Sequence, residues 1–536
     1  MADKQSYDFV IVGGGSAGTV LANRLSANPS LRVCLLEAGP TDRNPLIRIP
    51  IGIIGLMRSR SVNWRLWTEP QAQLNHRRLY WPRGKTLGGS SAINAMCYTR
   101  GHPSDYDHWA QLGNAGWGYA ELLPYFKRAE HFEHGADAYH GVGGPLHVSS
   151  LRHHNPLSAA FISAATAVGV PLNNDFNGPQ QEGVGLYHVM QKNGARCSNA
   201  EAYLHPVRDR PNLHVMTGAR VQRLVFSGTR AIGVDCLVQR QPQRVMAEGE
   251  VILCGGAIHS PQLLQLSGVG PRAVLAEHSI PEVLALPGVG ENLQDHLDIS
   301  VIQRASTPVG VSLGPRYWWR GLLGGVQYLK HRQGEWTSNL AEAGGFARTQ
   351  PSLSQPDVQF HFLPAIEIDH GLDLRQTIRH FGYTLRVCDL RPQSRGRITL
   401  HSADPNAAPC IDPNYLATEH DMEQMVRAVK LGREILAQAP FDPHRGKALY
   451  PGAKVQTDSQ LRVYVRAHAE SIYHPVGTCK MGRDDMAVVD DQLRVHGLEG
   501  LRVVDASIMP TLVGGNTNAP TTAIAERAAD CILGAC

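Results

Sequence analysis

The sequence predicts an α/β fold, α+β overall, in two domains, and three observations carry the prediction. A strand, a glycine turn and a helix open the chain. A second strand ending in an acid follows at the spacing of a nucleotide site. Alternating strands suited to an antiparallel sheet lie between residues 298 and 470. At 536 residues the chain is too long for one core, and two or three cores of ordinary size are expected.

The first unit is "YDFVIVGGGSAGTVLANRLS", an apolar run of strand length that turns through Gly13, Gly15 and Gly18 and continues with Val20, Leu21 and Leu25 at helical spacing. Gly13 permits the turn, Gly15 lets the backbone approach a pyrophosphate, and Gly18 lets the helix pack close to the strand. Phosphates are then expected at the helix N-terminus, beside Ser16 and Ala17. The second strand, "RVCLLEAG", ends in Glu37 roughly 20 residues further on, where a carboxylate can bind ribose hydroxyls. Together these predict a Rossmann-like dinucleotide site. The glycines serve FAD and NAD alike, and Glu37 followed by Ala38 and Gly39 favours FAD.

Charge argues against a polymeric polyanion as partner. The 51 basic and 47 acidic residues give a net charge of +4 without a basic run, so the footprint of a nucleic-acid binder is missing. The ten cysteines form no C-x-x-C pair and no zinc-ligand spacing, and they read as reduced thiols in a cytosol. The polar lead "MADKQ" runs straight into a strand without the features of a signal peptide, and no run reaches the ~18 apolar residues that span a bilayer. A cytoplasmic protein is expected, at most peripheral on the inner face of the cell membrane.

Further along, "RGKTLGGSSAINAMCYTRG" (Arg83 to Gly101) sets two glycines before two serines and small residues, a stretch that can lie flat against a planar ring. "GGAIHSPQLLQLSGVG" (Gly255 to Gly270) follows a strand with another glycine turn entering a helix, and "GVGENLQDH" runs from Gly288 to His296. These strings resemble the two signature patterns of the glucose-methanol-choline family of flavoprotein oxidoreductases. "SRGRITL", "IDPNYL", "YHPVGTCKMG" and "LRVVDASIMPTLVGGNTNAPTTAIAERAA" resemble the same family in the same order. The resemblance covers nearly the whole chain and is weakest between about residues 300 and 390. Within the family it is strongest to bacterial FAD-dependent alcohol dehydrogenases of alkane degradation, with choline dehydrogenases close by.

That resemblance implies a discontinuous FAD-binding domain, residues 1–150, 198–297 and 471–536, and a substrate-binding domain, 151–197 and 298–470. The strands "DVQFHFLPA" and "YTLRVCDL" support an antiparallel sheet in the latter. By position it implies Gly13, Gly15, Ser16, Ala17, Gly18, Glu37 and Ala38 for the ADP half, and Val221 and Cys254 for the adenine side. Leu87, Gly88, Asn94, Ala95 and Met96 fall to the isoalloxazine, and Asp505, Ala506 and Asn516 to the remaining FAD contacts. Ile93 stands where covalently flavinylated relatives carry a histidine, so the FAD is expected to be non-covalent.

The catalytic candidates follow. "SIYHPVGTCKMG" places His474 before a proline, which fixes φ, removes a donor and holds the imidazole on a rigid extended bend. Taken alone, such a histidine is as well read as a satisfied core residue. The resemblance makes His474 the base and Asn518 its partner on the substrate oxygen, with the imidazole titrating near working pH. The reaction implied is oxidation of a primary, aliphatic alcohol to an aldehyde by hydride transfer to flavin N5, with a quinone-type electron acceptor. A choline dehydrogenase, an oxygen-using alcohol oxidase and a non-redox cyanohydrin lyase are the alternatives. Oligomeric state is not legible.

Four features need separate readings. "GVSLG" (Gly310 to Gly314) fits G-x-S-x-G, but a Pro-Arg-Tyr turn is expected after it rather than the helix of a nucleophile elbow. His131, His134, His153 and His154 lack metal-ligand spacing, and no metal is expected. Glu342 is a carboxylate on the substrate side, either a cation site or structural. "LIRIPIGIIGLMRSR" (Leu46 to Arg60) and "RYWWRGLLGGVQYLK" (Arg316 to Lys330) have the composition of interfacial segments, although an apolar lid or a helix packed on the substrate sheet would read the same.

Overall fold

The computed structural model describes residues 6–534; the polar lead at residues 1–5 and Cys536 lie outside them. The first sheet has seven strands. In order they are Leu213–Thr217, Val33–Glu37, Ser6–Val12, Gln241–Leu253, Arg230–Val238 and Ala219–Ser227, with Leu501–Val503 pairing on Gln241–Leu253. The four pairings that involve Ser6–Val12, Val33–Glu37 and Leu501–Val503 are parallel, and the two formed by Ala219–Ser227 and Arg230–Val238 are antiparallel. Val33–Glu37 is buried throughout, as a strand with neighbours on both edges and helices on its faces requires. Helix Ser16–Leu25 packs on this sheet through Val20, Leu21 and Leu25, all fully buried.

The second sheet is antiparallel throughout. Its order is Arg445–Tyr450, Leu297–Ala305, Gly382–Asp389, Val358–Leu363, Ala343–Ala347 and Gly183–Leu186, with Glu470–Ser471 on Leu297–Ala305. The two strands expected there pair with His361 opposite Arg386. Helix Glu419–Leu436 covers the sheet through Met425, Val429 and Ile435, and its first turn is capped by Thr418, whose hydroxyl accepts from the Asp421 amide. Each sheet has its own core, so the length argument for more than one core holds.

Two expectations fail. Helix Pro315–His331 follows Gly314 directly, where a turn was expected after "GVSLG". Ser312 is nonetheless no nucleophile, because its buried hydroxyl donates to the Thr377 carbonyl at 2.7 Å and accepts from the Gly314 amide. Among the cysteines, eight are free thiols but Cys531 is disulfide-bonded. No C-x-x-C spacing marks Cys531, so spacing alone gives no sign of that bond. Among the described residues no helix is long and apolar enough to cross a membrane, and no cluster of three or more His, Cys, Asp or Glu could hold a metal ion.

Candidate active site

A continuous cavity of about 430 Å³ runs between the sheets, from Glu37 and Val221 at one end to His474 and Asn516 at the other. At the first end the glycines have distinct duties. Gly13 has φ +111°, and a Cβ there would stand 2.4 Å from the Cys254 carbonyl oxygen; one on Gly18 would stand 1.9 Å from the Gly13 carbonyl oxygen. Both positions therefore exclude any side chain, Gly13 at the turn and Gly18 at the helix–strand contact. Glu37 accepts from the Gly14 and Gly39 amides at 2.9 and 2.7 Å, and burial pushes its carboxyl up to about 7 against the pull of those donors. Gly15, Ser16, Ala17, Ala38, Val221 and Cys254 line the same end.

Asp505 lines the middle of the cavity, with its carboxylate turned to protein donors: the Gly256 amide at 2.8 Å, Ser260 Oγ at 2.6 Å and the Ser507 amide at 2.8 Å. It ties the strand end at Val503 to the start of helix Gly256–Leu266, beside Ala506. Asn94, Ala95 and Met96 line the other end. Leu87 and Gly88 do not, contrary to expectation. Gly88 donates its amide to the Gly14 carbonyl at 2.7 Å, and a Cβ on Gly14 would meet Leu87 at 3.1 Å, so both support the nucleotide turn from behind while Gly89 and Ser90 face the cavity. Gly89, at φ +52°, comes so close to Gly15 that a Cβ on it would lie 2.7 Å from the Gly15 Cα.

His474 lines the cavity and is 7% exposed. The left-handed residue is its neighbour Tyr473, with φ +70°. Tyr473 is over-determined by the Arg83 guanidinium on its carbonyl and by the hydrogen bond of its hydroxyl with His370 Nδ1. The His474 amide donates to Asp295 Oδ1 at 2.7 Å, and Asp295 in turn accepts from Ser471 and Tyr415. Asn516 faces the imidazole, its Nδ2 standing 3.2 Å from His474 Nε2. The Asn516 Oδ1 accepts from Thr99 at 3.1 Å and Gln359 at 2.9 Å, which fixes the amide orientation and makes Nδ2 the donor to the ring. His474 Nε2 is then the unprotonated nitrogen, and Nδ1 donates to His296 Nδ1 at 2.9 Å. Burial, then the neighbouring His296, His361, Arg83 and Arg386, holds the imidazole well below the ordinary 6.5, lower than the near-working-pH titration expected of it.

The expected pairing of His474 with Asn518 is not formed. Asn518 opens helix Asn518–Ile532, accepts from Ser16 Oγ at 2.7 Å and donates to Asn199 Oδ1 at 3.2 Å, and so it lies at the start of the first helix instead. The physical reason is the helix start: residue 518 already belongs to the first turn, whereas Asn516 is held outside it by the bond from its amide to Thr99 Oγ1 at 2.9 Å. Sequence reasoning also missed Asp295 and His296, although both stand in "GVGENLQDH", and it missed Arg196. The Arg196 guanidinium is buried without a carboxylate and donates to the carbonyls of Ile47, Ser91 and Asn94 and to Asn94 Oδ1, and burial lowers it to about 9.

The wall beyond His474 is mostly apolar: Ile53, Met57, Val311, Leu313, Ile366 and Leu374. The Leu46 to Arg60 segment thus supplies a cavity wall through Ile53, Ile54 and Met57. Glu342 is absent from the lining; its carboxylate accepts from the Asn155 amide at 2.6 Å, Ser158 at 2.7 Å and Ser338 at 2.6 Å. Glu367 does reach the cavity, with Oε2 3.3 Å from Arg386.

The cavity fits a flavin dinucleotide. Its ends offer a carboxylate for ribose and a flat, backbone-rich loop for a ring, and Gly15 and Gly256 open onto space, with nothing closer than 3.9 Å to a Cβ on the former and nothing within 4 Å on the latter. A nucleotide-binding sheet joined through one cavity to an antiparallel sheet, with a neutral imidazole in the loop just after its Glu470–Ser471 strand, is the arrangement of an FAD-dependent oxidoreductase. GMC oxidoreductase patterns match residues 7–298 and 392–525. The chain is 51% identical to an alcohol dehydrogenase [acceptor] of Pseudomonas putida, over 98% of this chain and 96% of the relative. It is 48% identical to a mitochondrial choline dehydrogenase of Mus musculus, over 99% and 90%. The crystal structure of a pyridoxine 4-oxidase from Mesorbium loti superposes with a TM-score of 0.89 at 34% identity, covering 98% of each chain. The chain belongs to the GMC oxidoreductase family, and FAD is its cofactor.

Proposed function

We propose that this oxidoreductase converts primary aliphatic alcohols to aldehydes, with His474 as the base and Asn516, in place of Asn518, as its partner on the substrate oxygen. The observation that carries the reading is the pair itself: an unprotonated Nε2 and an amide donor 3.2 Å apart at the end of an apolar cavity. The alcohol O–H donates to His474 Nε2, and the Asn516 amide holds the same oxygen. Bound FAD supplies the hydride acceptor. His474 Nε2 would accept the hydroxyl proton as the carbinol carbon gives up its hydride and the carbon–oxygen bond becomes a carbonyl. The resulting imidazolium is supported through Nδ1 by His296. Gly13, Gly15, Ser16, Ala17, Glu37, Ala38, Val221, Cys254, Asp505 and Ala506 would hold the dinucleotide, with Asn94, Ala95 and Met96 under the ring. The electrons would then pass to an external acceptor, which the likeness to an alcohol dehydrogenase [acceptor] supports, and a quinone is the acceptor type proposed.

Glu367 favours a second reading, choline oxidation. Its partner Arg386 is already taken in two hydrogen bonds by Asp298, so the cavity wall retains negative charge that suits a cationic substrate. An anaerobic panel of straight-chain alcohols, benzyl alcohol and choline separates the two, read as bleaching of the flavin band, followed by reoxidation with oxygen or a quinone analogue. Bleaching by hexanol and fast reoxidation by the quinone analogue are expected. Bleaching by choline alone would replace the aliphatic reading, hydrogen peroxide release at full rate would make the protein an oxidase, and no bleaching by any alcohol would leave a lyase.

A further inference from the structure

Helix Pro315–His331 is built inside out. The side packed on the protein carries Tyr317, Gly321, Gly324, Gly325 and Tyr328, and a Cβ on Gly325 would stand 2.8 Å from the Trp336 ring. The outward side carries Trp318, Trp319, Leu322, Leu323, Val326 and Leu329, exposed by 66, 75, 60, 63, 44 and 72%. At 100° per residue those six fill one arc of about 140°. The small residues hold the helix against the protein while the large apolar ones meet solvent, the reverse of a surface helix that serves its own core. An apolar patch of this kind marks an interaction site.

The occupant follows from shape and charge. A single protruding helix is convex and offers no groove for a partner chain. Its flanks are basic: Arg316 and Lys330 are exposed, as is Arg379 next to Ile378, whose carbonyl touches Gly314 and whose side chain extends the patch. None of these three cations pairs with a carboxylate among the described residues. The nearby acid, Glu335, is neutralised by Arg320 and bonded by the Tyr317 hydroxyl. Large apolar and indole side chains with uncompensated cations at the edge match the boundary of an anionic bilayer.

We propose that the outer face of helix Pro315–His331 lies in the interface of an anionic lipid bilayer and brings the apolar end of the active-site cavity to the membrane. The link to the cavity is direct. Trp318 Nε1 donates to the Leu313 carbonyl at 3.3 Å, Val311 and Leu313 line the cavity, and Ile51 from the 46–60 segment packs against the apolar cluster of Val311, Tyr317 and Ala365. An aliphatic alcohol and a quinone, both of which partition into lipid, would meet the site there. This use of the surface rests on the function proposed above, whereas binding itself is measured without alcohol or acceptor and so fails separately from catalysis.

The test uses the full chain with FAD and vesicles of phosphatidylcholine alone or mixed with phosphatidylglycerol. Sedimentation with the mixed vesicles at low salt, release by salt and a blue shift of tryptophan emission are expected. The double substitution Leu322→Gln with Leu329→Gln should lower the bound fraction about tenfold, since each removes apolar area from the interface, with flavin reduction by alcohol unchanged. Arg316→Glu with Arg379→Glu should abolish the preference for phosphatidylglycerol. Failure to bind mixed vesicles at low salt, or binding untouched by the leucine pair, overturns the proposal. A wild-type dimer that the leucine pair turns into a monomer, with no vesicle binding, would instead assign the face to a second copy of the chain.

Discussion

Three neighbours hold His474, the proposed base, neutral and aimed: Asp295 accepts from its amide, His296 accepts from the ring at Nδ1, and Asn516 faces Nε2. His474→Ala should keep FAD yet slow flavin reduction by ~10²–10⁴-fold, the worth of a positioned general base, measured by stopped-flow with alcohol in excess. Asn516→Ala should slow the same step, whereas Asn518→Ala, at the start of the first helix, should loosen FAD and leave the reduction rate of bound flavin near wild type. The reverse result would restore Asn518 as the partner. The pH dependence has a definite sign. The imidazole is held below its ordinary 6.5, so it stays neutral and competent above that value, and the acid limb of flavin reduction should fall below pH 6.5. The Tyr-His-Pro bend singles out His474, but two asparagines in "GNTNAP" look alike in the sequence, and only the position of the helix start separates them.

Arg196 joins elements that lie far apart in sequence. One guanidinium, cationic at neutral pH, satisfies the carbonyls of Ile47, Ser91 and Asn94, and so fixes the short segment 45–48 and the Gly89–Ala92 turn against each other next to Asn94 and Met96. Arg196→Met should leave those acceptors buried and unpaired, a cost of about 1–3 kcal/mol each where water cannot enter. The readout is a lowered ratio of flavin to protein after purification, together with a lower melting temperature. Unchanged flavin content would show that the turn holds itself. No motif marks Arg196, because three of its four acceptors are backbone carbonyls, which carry no sequence signal. Helix Pro315–His331 makes the same point in another way: its aromatic, leucine-rich and basic composition is plain in the string, but a reader would bury the leucines, and only packing shows that the glycines face inward.

At the scale of the whole molecule, the dinucleotide-binding sheet is legible from its first 39 residues, because glycines at a turn and an acid at a strand end obey local rules. The antiparallel sheet is legible only in part. Its strands Val358–Leu363 and Gly382–Asp389 are buried on both faces, so their alternation carries little information, and Gly183–Leu186 joins it from far upstream. FAD is expected to lie in the cavity between the two sheets, held by burial and hydrogen bonds alone, and this can be tested directly. Ile93, at 4% exposure, stands immediately before Asn94 on the cavity wall, and a hydrocarbon side chain has no atom that can form a bond to a flavin carbon. His361, on the cavity wall with its Nδ1 unpartnered, lies in strand Val358–Leu363 of the second sheet rather than in the loop that carries Asn94. Acid precipitation should therefore release the whole yellow chromophore to the supernatant, and the precipitate should show no flavin fluorescence after washing. Because FAD binds only the folded chain, saturating FAD should also raise the midpoint of thermal unfolding, by the equivalent of about 2.7 kcal/mol at a hundredfold excess over Kd. Colour retained by the washed precipitate would establish a covalent link and require another residue of the cavity to make it.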